Sequence, residues 1–129
     1  MKTHNLSGIK LDWAVAKALD YDVDTEGHWD CERDCEVTTK LHGSAIPGRN
    51  SGDTEWSPSK IAEQAYWVIL VYKICTKVGH DGVWLAYTAQ NYEDEPEHMA
   101  SGCSPLEAAM RCFVMMRLGT EVVIPESLN

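Results

Sequence analysis

Trp56-Ser57-Pro58-Ser59-Lys60 places an aromatic ring, two hydroxyls and a cation within five residues, where the chain turns helical. A helix N-terminus leaves its first amides without partners and carries partial positive charge, so it attracts anions. A nucleotide suits that chemistry: its base stacks on Trp56 while a phosphate meets Ser57, Ser59 and Lys60. The plainer alternative is a capped helix whose Trp56 is a hydrophobic staple. Arg111 and Arg117 share a later helix and reach a phosphate only with help from another element; solvent exposure is the simpler explanation for both. The candidate ligand-binding set is Trp56, Ser57, Ser59, Lys60 and Arg111.

Other chemistries fit less well. His28, Cys31, Cys35 and His42 form H-x2-C-x3-C-x6-H, which brings zinc-ligand types close together in sequence. The spacing is not that of a standard finger and acids crowd the cysteines, so surface thiols and solvated histidines are expected, with no metal. His80 and His98 fall in predicted turns and read as solvated. The run Glu93-Asp-Glu-Pro-Glu97 could pair carboxylates for acid–base work or hold a cation, but like charges in a row usually form a solvated face. A nucleophile elbow, a Walker loop and a dinucleotide fingerprint are all missing, and no motif activates a cysteine. The expectation is a protein without catalytic residues or cofactor.

The elements that must carry these residues are legible in part. Ser104 to Gly119 has a cap, a first-turn proline, Glu107 at the capping-box position and a glycine stop. Leu106, Ala109, Met110, Phe113, Met116 and the Arg117 stem follow the helical period and predict a face packed on a sheet. An opening helix from Ser7 to about Leu19 buries Leu11, Ala14, Val15, Ala18 and Leu19, with Ser7 as its cap. A second runs from Ser57-Pro58 to about Tyr72 on Ile61, Ala65, Val68 and Tyr72. It yields to a strand through Val78, a Gly79-His-Asp-Gly82 hairpin turn and a partner strand over Val83 to Ala89. Short strands near Trp29 and over Glu36 to Leu41 are expected, and Glu121 to Ile124 adds a last one. Turn formers predict a flexible loop at 42–55, and Gln90 to Gly102 reads as a solvated loop or irregular edge.

Two helices, a hairpin, a third helix and short strands describe an α+β fold. The expected form is a single-domain sandwich over residues 1–129, a small mainly antiparallel sheet packed by about three helices. The length suffices for a core without disulfide or metal staples. A formal charge of −9, from 20 acids against 11 scattered bases, argues against direct nucleic-acid binding and suits a basic partner protein. Five cysteines are an odd number and read as free thiols, with Cys75 and Cys112 as small core residues. No apolar run approaches the roughly 18 residues of a membrane span, and Met1-Lys-Thr-His-Asn lacks the apolar core of a secretory signal.

Three segments carry a family resemblance. Ser104-Pro-Leu-Glu-Ala-Ala-Met-Arg-Cys-Phe-Val-Met-Met-Arg-Leu-Gly-Thr-Glu-Val-Val-Ile-Pro125 resembles the C-terminal signature of the NinX family of lambdoid phages. Leu11-Asp-Trp-Ala-Val-Ala-Lys-Ala-Leu-Asp-Tyr21 resembles its opening helix, and Trp56-Ser-Pro-Ser59 its central motif. The order of helices also resembles phage alpha-beta-alpha sandwich domains. The resemblance implies a phage or prophage origin, hence the host bacterial cytoplasm, and no reaction. The expected function is a non-enzymatic accessory protein, a counter-defence sponge that sequesters a nucleotide-type host immune signal and could be a homo-oligomer. The alternative is a protein–protein antagonist of a host factor, or a DNA-metabolism accessory of the phage nin region.

Overall fold

The computed structural model of the chain describes residues 1–32, 34–43, 54–88 and 98–128. Its elements follow in the order α1 (Gly8–Ala18), β1 (Val23–Asp30), β2 (Cys35–Gly43), β3 (Thr54–Glu55), α2 (Ala62–Tyr72), β4 (Ile74–Val78), β5 (Trp84–Thr88), β6 (His98–Gly102) and α3 (Pro105–Leu118). Two antiparallel three-stranded sheets, β1-β2-β3 and β4-β5-β6, share the core with three helices, an α+β fold as expected.

The central element is α3. Ser104 caps it, its hydroxyl accepting from the Glu107 amide at 3.1 Å, Pro105 opens it and Gly119 ends it at φ 88°. The capping box is not closed reciprocally: Glu107 instead accepts from Cys103 and pairs with Arg111 one turn on, at 2.8 Å. Ala108, Ala109, Met110, Cys112, Phe113 and Val114 are buried where α3 packs on β4, β5, β6, α1 and α2. The N-terminus ties onto the far end of α3. The Met1 ammonium donates to the Val122 carbonyl and the Thr3 hydroxyl to the Gly119 carbonyl, so only a bridge between Lys2 and Glu121 forms in place of the expected last strand.

The 98–102 segment, expected as a solvated loop or irregular edge, is a regular strand at the edge of β4-β5-β6: Thr88 pairs with His98 and Trp84 with Gly102. Ala100 and Gly102 are small and buried, which lets α3 approach β6 closely. A methyl group added at Gly102 would sit 2.7 Å from the Ala108 amide nitrogen. Gly102→Ala is therefore expected to destabilise the fold by about 1–3 kcal/mol through overpacking, measured as a lower denaturation midpoint; an unchanged midpoint would mean that the α3 terminus is free to move away.

Other expectations need adjusting. Both strands of the first hairpin are longer than predicted. The expected flexible loop at 42–55 falls mainly on 44–53, outside the described residues, and its ends are paired, His42 with Glu55 and Gly43 with Thr54. Ser7 occupies the cap position of α1, yet its side chain makes no capping bond. Helix α2 ends where Lys73 turns left-handed at φ 55°, which launches β4 directly. The tight turn expected at Gly79–Gly82 forms one residue later, over His80–Val83, with positive φ at Asp81 and Gly82. Cys112 is buried but Cys75 is exposed on β4, contrary to its expected place in the core. Among the described residues, no helix is long and apolar enough to cross a membrane.

Candidate functional site

The anion position expected at Trp56–Lys60 is filled by the protein's own Asp12. Ser57 to Ile61 forms a helical turn ahead of α2, with the Ser57 carbonyl accepting from the Lys60 and Ile61 amides. The Asp12 carboxylate on α1 then accepts from the Ser59 amide at 2.8 Å and from the Ser57 hydroxyl at 2.9 Å. The Ser57 hydroxyl thus serves Asp12 instead of capping a helix, and Asp12 supplies from another element the negative charge that such a terminus favours.

The surrounding bonds complete a clamp. Trp56 is buried and its indole N–H donates to the Asp12 carbonyl at 2.8 Å. Gln64, the one amide side chain of α2, accepts from the Ser57 amide and donates to the Glu55 carbonyl, both at 2.7 Å. Burial pushes the Asp12 carboxyl above its usual value, against the opposing pull of its bonds to Ser59 and Ser57 and the charge of Lys60. The Ser59 hydroxyl is buried and finds no partner among the described residues. Of the expected set, Trp56, Ser57 and Ser59 come together as framework, and Lys60 is exposed beside them. Arg111 is engaged elsewhere: it donates to the Leu6 and Ser101 carbonyls and pairs with Glu107, joining the N-terminal segment, β6 and α3.

Of the four zinc-type residues, His42 stands apart from Cys35. Cys35 and His42 stand at opposite ends of β2, seven residues apart and so about 23 Å along an extended strand, which prevents them from sharing one ion. His42 pairs with Glu26 at 2.6 Å. The acidic run 93–97 lies outside the described residues.

An open groove lies one ring away from the clamp. Helix α1 closes with the Asp20 amide donating to the Lys17 carbonyl and the Tyr21 amide to the Ala16 carbonyl, and Asp20 stands at φ 57°. This is a Schellman ending with aspartate in the left-handed position usually given to glycine. It folds Tyr21, Asp22 and Val23 back over the helix, where they and Trp13, Ala16 and Lys17 line a groove of about 190 Å³. The Tyr21 ring meets Trp56 edge-on, with centroids 5.6 Å apart, so the buried tryptophan forms the wall behind it. Burial first, and the nearby Tyr72 second, raise the Tyr21 hydroxyl pKa and keep it neutral. Trp13 and Lys17 flank the buried stripe of α1, and the one sequence signal that marks them is an aromatic and a cation four residues apart on a helix.

A search of curated proteins found no match to the chain. A family model described as Bacteriophage P22, NinX matches residues 2–117. That span takes in α1, the Trp56 turn and nearly all of α3, and on this match the chain belongs to the phage P22 NinX family.

Proposed function

We propose that this phage accessory protein is a non-enzymatic binder that sequesters a nucleotide-type host immune signal in the groove between α1 and the start of β1. The observation that carries the reading is the lining: Trp13 and Tyr21 offer aromatic surface and Lys17 a cation beside it. Those are the contacts a planar base bearing a phosphate needs. At about 190 Å³ the groove is smaller than the roughly 300–1,000 Å³ of sites that engulf a whole ligand. It suits one base or phosphoribosyl unit, with the rest of the molecule outside.

A melt against a panel of cyclic and ADP-ribose-type nucleotides tests this, because a ligand that binds only the folded state raises the midpoint, by about 2.7 kcal/mol in stability at a hundredfold excess over Kd. Lys17→Glu is expected to abolish the shift with little effect on the unliganded melt. Trp13→Ala weakens binding by about 1–3 kcal/mol if the base stacks there. Lys60→Glu separates the two placements: loss of binding returns the ligand to the helix turn, whereas intact binding excludes that site. If no nucleotide shifts the melt, sequestration is wrong and the protein-antagonist reading stands, favoured by the exposed carboxylates of Asp20, Asp22 and Asp24.

A further inference from the structure

Helix α2 reads Ala-Glu-Gln-Ala-Tyr-Trp-Val-Ile-Leu-Val-Tyr, with Glu63 its one charge. A helix that is apolar on every side belongs in a protein interior. Gln64, Ala65 and Val68 do face inward, yet Tyr66 and Leu70 stand 64% and 61% exposed on the opposite side. Val71 beyond them and Val78 on β4 are also exposed. Residues 62–88 hold two acids, Glu63 and Asp81, and two lysines, Lys73 and Lys77, so this stretch carries no formal net charge and the rest of the chain carries the whole −9.

We propose that α2 is the two-fold interface between two copies of this chain. The charges are self-complementary about a single point. In an antiparallel pairing centred at the level of Val68 along the helix axis, on the exposed side, Tyr66 meets Leu70 of the partner subunit, and Glu63 at one end of α2 meets Lys73 of the partner subunit just past the other. Both pairs are symmetric about position 68, as an isologous contact requires. The two helix dipoles run in opposite directions in this arrangement. Two chains of −9 repel each other, and a contact made through α2, in a stretch with no formal net charge, adds least to that repulsion. The inference is independent of the ligand reading, since the groove lies on α1 and the start of β1.

Sedimentation velocity on the purified full chain, over a range of concentrations, decides it. The wild type is expected to be a dimer. Leu70→Glu is expected to raise the dissociation constant by about a hundredfold or more, because it buries a charge twice in one symmetric contact, while the far-UV circular dichroism stays unchanged. Should that variant fail to fold, a charge exchange supplies the answer: Glu63→Lys alone weakens the dimer, and Glu63→Lys with Lys73→Glu restores it. A wild type that is monomeric at every concentration, a dimer untouched by Leu70→Glu, or an exchange that fails to restore pairing would each overturn the proposal.

Discussion

Phe113→Ala is expected to cost about 3–5 kcal/mol of stability, since removing a buried ring forfeits its transfer energy and leaves a cavity that the surroundings only partly fill. Phe113 is fully buried on α3 and its ring lies against Tyr72 of α2 at 4.7 Å between centroids. It therefore joins the helix that covers the second sheet to the helix that precedes it. Denaturant titration measures the loss as a lower midpoint at constant slope. Phe113→Leu keeps most of the volume and should lose much less. Equal midpoints for wild type and Phe113→Ala would mean that the core is centred elsewhere.

Phe113 was legible because α3 is specified locally, by a cap, a proline, a period and a stop within sixteen residues of sequence. The full length of β1 and the regular pairing of β6 were not. Asp24 and Glu26 of β1 are exposed, and the strand exists because its backbone pairs with β2 at the edge of the sheet, a long-range reason that propensity does not register. In β6 the residues Ala100, Ser101 and Gly102 are poor strand formers, chosen by the closeness of α3 and not by preference for extended backbone. Cys75 misled in the opposite direction: along β4 it alternates with Ile74, the strand's one buried residue, and so lies on the other face of a strand at the edge of the described sheet.

The candidate site was half legible for a related reason. Reading Trp56 to Lys60 as a helix start with free amides identified a need for negative charge, and the need is real. What one segment cannot disclose is that another already meets it. Asp12 sits forty-four positions before Trp56, within the opening-helix motif, and two of the three motifs that carried the family resemblance are bonded to each other through it. A lone acid among Leu11, Val15 and Ala16 on the buried side of a helix was the available signal, because such a carboxylate must find donors.

Asp12→Ala should accordingly cost about 2–4 kcal/mol: it strands the Ser57 hydroxyl and Ser59 amide, offset in part by relief of the buried carboxylate. Asp12→Asn exposes the electrostatic component, since an amide keeps the size and one acceptor but never ionises. The folded-state pKa of Asp12 lies above the unfolded value of 3.8, principally because of burial. The folded chain therefore holds that proton more tightly, and the Asp12 contribution is fully present below pH 3.8 and lost as pH rises through the raised folded value. Measured against Asp12→Asn, which cancels the titration of the other carboxylates, the wild type should lose relative stability over that window and then level off. A relative gain with rising pH would reverse the conclusion: the bonds from Ser57 and Ser59 would then outweigh the desolvation, and the clamp would be held by an anion that prefers the folded state.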